Sequence, residues 1–179
     1  MRVVAANGSP RAGGRTATAL AAVVAALGEH EVEVDSVELA EERPEELGPA
    51  LPDADGFVLA SPVYRASFAT PLKALLDSTP RGMWGEERAP LTARPVVILM
   101  TGATWHHYLA LNDLRNVLGA FFAAFVIPPG LYVPHSGFDG AGELTDEFRE
   151  LARRQASALV EAATSFEAAS AVRNLKPQV

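Results

Sequence analysis

Residues 7–20, Asn-Gly-Ser-Pro-Arg-Ala-Gly-Gly-Arg-Thr-Ala-Thr-Ala-Leu, place three glycines, two arginines and three hydroxyls between an apolar run (3–6) and a helical pattern. A plain connection needs only a turn, and a glycine-rich turn with an ordinary cap would need neither arginine. These residue types suit an anion. The first N–H groups of a helix have no intrahelical partner and carry the positive end of its dipole. Ser9, Thr16 and Thr18 add hydroxyls, while Arg11 and Arg15 add charge and forked hydrogen bonds. Two common phosphate motifs are absent. Gly8, Gly13 and Gly14 do not have G-x-G-x-x-G spacing. A P-loop fails as well, because the interval from Gly8 to Gly14 is one residue too long and Arg15 stands in place of lysine. Neither of the apolar runs at 56–60 and 96–100 ends in an acid that would hold magnesium.

Two further segments are richer than a connection requires. Pro62-Val63-Tyr64-Arg65-Ala66-Ser67 combines a stiffened path with a flat aromatic face carrying a polar tip, a wall for a planar ring. Thr101-Gly102-Ala103-Thr104 is small enough for its backbone to approach a heterocycle and offer N–H and C=O groups. The adjacent His106 and His107 point to different faces of a helix, which makes them a poor metal pair. A phosphate at one end, an aromatic wall and a backbone-lined slot together describe a mononucleotide with a flat ring.

The elements that must position these loops follow from periodicity. Residues 2–6 read as a strand, and Leu20, Val23, Val24 and Leu27 mark one face of a helix that Gly28 stops. Val32 and Val34 alternate with acids as an edge strand, and residues 41–55 read as loop. The unbroken apolar run 56–60 and the segment 95–101 read as strands buried on both faces. Thr70-Pro71 reads as a cap and first turn for a helix buried through Leu72, Leu75 and Leu76. Helical sequence runs from about Trp105 to Ala124, 125–133 reads as a last strand with an irregular middle, and a final helix opens at Thr145. Alternating strands and helices predict an α/β fold, a doubly wound five-stranded parallel sheet with helices on both faces. All three special loops then follow strands, at the edge where such sheets bind ligands.

Composition narrows the partners. The chain has 179 residues, 49% of them hydrophobic, enough for one domain over 1–170, with residues 171–179 expected to fray. With no cysteine, a thiolate nucleophile or metal site is excluded. Fifteen basic against 22 acidic residues, net −7 and without a basic block, argue against nucleic acid. Neither a signal peptide nor a membrane-length apolar stretch is recognisable, so the expected location is cytoplasmic.

Together the segments "GSPRAGGRTAT", "ASPVYRASFATPLKALLD" and "TGATWHHYLALNDLRNVLGAF" resemble the NAD(P)H-dependent FMN reductase family of flavodoxin-like fold. Similarity is greatest to the flavin reductases that serve two-component alkanesulfonate monooxygenases, and extends from residue 2 to about 133. The resemblance implies FMN as cofactor and NADPH or NADH as hydride donor. By it, Ser9, Arg11, Arg15 and Thr16 hold the phosphate, Pro62, Val63, Tyr64, Arg65 and Ser67 line the isoalloxazine, and Thr101, Gly102, Ala103 and Thr104 meet its pyrimidine edge. No catalytic acid or base is implied. Arg65 has two readings, a contact to reduced flavin or nicotinamide, or an exposed arginine without a specific contact. Gly14 stands where relatives often have serine, so a backbone N–H must replace a hydroxyl. Family members are commonly homodimers or homotetramers. Those that pass flavin to a monooxygenase often carry an extra residue in the helix matching 109–118, forming a π-bulge. This chain lacks the insertion. The expectation is therefore a regular helix, FMN retained through the cycle and electrons passed to a small acceptor such as a quinone. The alternatives are a reductase supplying free reduced FMN to a partner monooxygenase, and a flavodoxin-like carrier without NAD(P)H turnover.

Overall fold

The structure, a computed structural model, describes residues 1–178; Val179, the end of the expected tail, lies outside them. In chain order the strands are β1 (Arg2–Asn7), β2 (Glu33–Glu38), β3 (Gly56–Tyr64), β4 (Ser67–Phe68), β5 (Pro95–Gly102), β6 (Phe125–Val126) and β7 (Leu131–Pro134). The helices are α1 (Gly14–Gly28), α2 (Pro44–Ala50), α3 (Thr70–Ser78), α4 (Leu111–Asn116), α5 (Asp146–Ala168) and α6 (Ser170–Arg173). Sheet order is β2-β1-β3-β5, and the position beyond β5 is shared by β6, beside Pro95 and Val96, and β7, beside residues 99–102. These neighbours are all parallel. The five expected positions are present, and the last strand has the irregular middle expected of it.

Strand alternation explains why the central runs are apolar without interruption. Val4 and Ala6 of β1, Phe57 and Leu59 of β3, and Val96, Ile98 and Met100 of β5 pack toward Leu72, Leu75, Leu76, Leu111 and Leu114 of α3 and α4. Their neighbours Val3, Ala5, Val58, Ala60, Val97 and Leu99 pack toward Leu20, Val23 and Leu27 of α1 and Phe148, Ala152 and Leu159 of α5. Both faces are covered, so no strand position in the middle of the sheet is free to be polar. Polar chemistry is confined to the strand ends and the loops that follow them.

Four expectations are corrected. Residues 41–55 are not all loop, because α2 lies among them. Pro44 opens it, and Glu45 and Glu46 in its first turn favour the dipole. Thr70 is already helical, and the residue flanking α3 is Ala69, whose N–H is taken by the Ser61 hydroxyl at 2.8 Å. The loop after the third strand is instead a hairpin: β3 runs on to Tyr64 and β4 returns antiparallel, pairing Val63 with Phe68 and Tyr64 with Ser67.

The helix from Trp105 is not regular either. It begins as a tight 3₁₀ stretch (Trp105–Ala110), becomes α4, and ends in a π-helical turn, Val117–Phe121, in which the Phe122 N–H reaches back to the Val117 carbonyl. The wide turn belongs to the helix's termination. Ala123 takes a left-handed φ of 53°, and the Ala124 N–H then bonds the Leu118 carbonyl at 3.0 Å. Counting residues in 109–118 for an insertion could not reveal it.

The crossing of β1 into its loop depends on one glycine. The Gly8 N–H bonds the Ala60 carbonyl at 2.7 Å, and a Cβ at Gly8 would lie 2.6 Å from Leu72 Cβ and 2.8 Å from that carbonyl oxygen. Gly8→Ala is expected to destabilise the fold by about 1–3 kcal/mol in chemical denaturation, the cost of overpacking a closed contact.

Candidate functional site

Loops following β1, β3, β5 and β7 meet at the carboxyl edge of the sheet and enclose a cleft of about 730 Å³, within the roughly 300–1,000 Å³ usual for small-ligand sites. Ser9, Arg11, Arg15, Thr16, Pro62, Val63, Tyr64, Thr101, Gly102 and Ala103 all line it. Ala12, Gly13, Gly14 and His135 complete the wall.

The first loop is organised by Asn7. Its buried side chain donates to Glu38 Oε2 at 2.9 Å and accepts the Ser9 N–H at 3.1 Å, an Asx-type turn that points the chain away from the sheet. The Ser9 hydroxyl closes the next turn, accepting the Arg11 N–H at 3.2 Å and donating to the Arg11 carbonyl at 2.8 Å. Gly13 and Gly14 then take φ of 74° and 71°, the left-handed region where other residues are strained. Helix α1 starts there with no side-chain cap and no acid in its first turn, so its N–H groups face the cleft unsatisfied. Beneath them the hydroxyls of Thr16 and Thr101 lie 2.8 Å apart and buried, tying the first loop to the third. Arg15 Nη2 donates to His135 Nε2 at 3.3 Å. Arg11 has no side-chain partner among the described residues.

In the second loop Pro62, Val63 and Tyr64 are the end of β3, the first two half-buried and the last exposed. Tyr64 is 44% exposed beside the cleft. Ser61 anchors the hairpin from below, taking the Ala69 N–H and donating to the Pro62 carbonyl at 2.9 Å. Arg65 and Ala66 form the turn with φ of 52° and 65°. Two-residue hairpins want positive φ at both positions, usually supplied by Asn-Gly, so the Arg-Ala pair is held there under strain. Arg65 at the tip and Ser67 on the return strand are not among the residues that line the cleft.

The third loop is braced by β7. Tyr132 donates to the Thr104 carbonyl at 2.6 Å, and its ring occupies the space where a side chain at Gly102 would lie. Burial pushes the Tyr132 hydroxyl above its ordinary pKa, keeping it a donor. Thr104 thus supports the loop from outside the cleft, and its hydroxyl lies 3.3 Å from Nδ1 of both His106 and His107. The described residues contain no group of three or more metal-ligating side chains.

Sequence reasoning missed His135. It follows the last strand directly, so the rule that flagged the other three loops would have found it. Lys73 and Asp77, part of the resemblance, form an exposed ion pair one turn apart on α3 and take no part in the cleft.

The sequence model of the NADPH-dependent FMN reductase family matches residues 1–139. The chain belongs to this family. It is 32% identical over 155 residues to an FMN reductase (NADPH) of Pseudomonas aeruginosa, covering 77% of this chain and 79% of that one. An FMN reductase (NADPH) of Escherichia coli K12 is 36% identical over 141 residues, covering 71% and 70%. Among solved structures, an NADH:FMN oxidoreductase (EmoB) in apo form superposes with a TM-score of 0.73 at 22% identity, covering 97% and 94%. An archaeal flavodoxin gives 0.64 at 14% identity, covering 92% and 99%. Both structural likenesses concern the fold, which is flavodoxin-like.

The cleft of this family member suits FMN on its own geometry: unpaired helix N–H groups and two arginines at one end, an aromatic wall and an open backbone slot at the other. The strained hairpin yields a direct test. Ala66→Gly is expected to stabilise the protein by roughly 0.5–1 kcal/mol, because glycine reaches φ of 65° without the Cβ penalty. Ala66→Val is expected to destabilise it, both read by urea denaturation.

Proposed function

We propose that this protein is an NAD(P)H-dependent FMN reductase. The observation that carries the reading is the uncapped start of α1, with Gly13 and Gly14 in left-handed conformations and Arg11 and Arg15 beside it, opening into the cleft that Tyr64 walls. Bound FMN would supply a ring nitrogen able to accept hydride from NADPH or NADH. The chain's contribution is binding and alignment, which can account for several kcal/mol of a barrier. Arg11, Arg15, Ser9, Thr16 and the N–H groups of Gly13 and Gly14 hold the phosphate. Pro62, Val63 and Tyr64 carry the ring, with Ser67 fixing Tyr64 through strand pairing. The backbone of Thr101, Gly102 and Ala103 meets the pyrimidine edge, with Thr104 bracing it through Tyr132. Arg65, without a side-chain partner among the described residues, stands ready at the turn for the nicotinamide donor.

The destination of the electrons has two readings. Retention of FMN, with a small acceptor such as a quinone, rested on a regular helix beside the flavin. The π-helical turn at Val117–Phe121 removes that support. The turn closes the end of the helix and none of its residues lines the cleft, so the second reading, reduced FMN released to a partner monooxygenase, stands on equal terms with the first. Tyr108, Leu109 and Phe121, exposed along this helix, support a homodimer or homotetramer. A nicotinamide donor supports a cytoplasmic location, and no helix among the described residues is long and apolar enough to cross a membrane.

Purified protein mixed with FMN and NADPH or NADH under air is expected to oxidise the nicotinamide through many turnovers. A flavodoxin-like carrier would give almost none. Arg11→Ala or Arg15→Ala is expected to weaken FMN by roughly tenfold to a hundredfold for the better placed arginine, the worth of a charge-assisted hydrogen bond. Riboflavin, lacking the phosphate, is expected to change little. Unchanged FMN affinity in both variants would contradict the assignment.

A further inference from the structure

The contact between Arg15 and His135 sets which form of the imidazole the cleft wall carries. A guanidinium is only a donor, so a bond from Arg15 Nη2 to His135 Nε2 at 3.3 Å requires a lone pair on that nitrogen and hence a neutral imidazole protonated on Nδ1. Protonating Nε2 would turn the acceptor into a second donor and set two cations against each other. One anion between them satisfies both. The place for it is already defined, because His135 and Arg15 share the cleft wall with Gly13 and Gly14 at the start of α1.

The surroundings leave His135 free for this. It is exposed, at the first position after β7, and its backbone N–H is tied to the Ala103 carbonyl at 3.4 Å. The charged groups facing it across the cleft are Arg15 from α1 and Arg11 from the first loop. Phe138 lies under the Arg15 guanidinium, 5.8 Å from carbon to ring centre. Asp139 in the same loop accepts the backbone N–H groups of Ala141 and Glu143 at 2.9 and 3.0 Å. From α5, Asp146 pairs with Arg149. The imidazoles of His106 and His107 in the third loop are turned on Thr104, the Tyr132 phenol of β7 is spent on the Thr104 carbonyl, and the Tyr64 phenol of β3 is the remaining titratable group on the cleft.

We propose that His135 is a phosphate-binding residue that works by proton linkage: a bound phosphate draws a proton from solvent onto Nε2, and Arg15 turns from the imidazole to the anion. The inference rests on the phosphate lying over the start of α1, as proposed above. It makes His135 more than an anchor for Arg15. The cleft then gains cationic charge only with a phosphate bound, and affinity for phosphorylated flavin falls as pH rises, because the proton taken up with the ligand becomes scarcer. The ligand's own second ionisation, near about 6, leaves it almost fully dianionic above pH 7 and cannot produce that fall.

Calorimetric titration of FMN and riboflavin in two buffers of different ionisation enthalpy tests this with the wild type and His135→Gln. Glutamine can accept from Arg15 but cannot take the proton, and the position is exposed, so the variant is expected to fold. The wild type is expected to take up roughly half a proton per FMN near pH 7 and none with riboflavin. Its FMN Kd is expected to rise about tenfold between about pH 6.5 and 8.5. In His135→Gln the uptake disappears and the Kd changes less than about twofold over the same range. Uptake that persists in the variant, or an FMN affinity in the wild type that is flat with pH while still far above that for riboflavin, overturns the role of His135 and leaves the phosphate assignment standing. FMN binding no tighter than riboflavin at any pH overturns both.

Discussion

The site depends on an unsatisfied helix end. The first turn of α1 has neither a side-chain cap nor an acid, and Gly13 and Gly14 bend the preceding chain so that its N–H groups face the cleft. Unpaired donors beside a positive dipole end must be met by water or by an anion. Everything near them keeps that end open and suited to the anion. Arg11 and Arg15 add positive charge without filling the space, and Gly8 packs too closely on Leu72 and Ala60 for the loop to enter by another route.

This arrangement follows from how the sheet is buried. Because β1, β3 and β5 are covered on both faces, their polar continuations can only emerge at the ends, and parallel strands send those ends to one edge. Three cross-links then turn separate loops into one surface: Thr16 to Thr101, Arg15 to His135, and Tyr132 to Thr104. A change in one loop is therefore felt in another. The buried pair of Asn7 and Glu38 does the same from the side of β2, holding the turn at Ser9 that starts the first loop.

Much of this was legible in the sequence where local chemistry and the fold agree. The runs at 56–60 and 96–100 are apolar at every position because both faces are covered, and the loop at 7–16 carries residues no turn requires. Legibility failed where tertiary context overrode a local rule. Arg65 and Ala66 do not read as a hairpin turn, since neither favours positive φ, and Ser61 beneath them supplies the anchoring that the turn residues do not. Residues 41–55 are dense in proline and glycine, which masked α2 although Pro44 followed by two acids is a helix opening. The wide turn at Val117–Phe121 arises from how the helix ends at Ala123, not from an insertion. His135 was within reach of the strand-end rule but lay beyond the loops whose composition drew attention.

The central claim, that the start of α1 receives the flavin phosphate, is tested most directly by amide resonances. In ¹⁵N-labelled protein, saturating FMN is predicted to move the N–H signals of Gly13, Gly14, Arg15 and Thr16 strongly downfield, as hydrogen bonds to a phosphate do. Riboflavin is predicted to perturb Val63, Tyr64, Gly102 and Ala103 while leaving those four nearly in place. Identical shifts at residues 13–16 with both flavins, or none with FMN, would contradict the account.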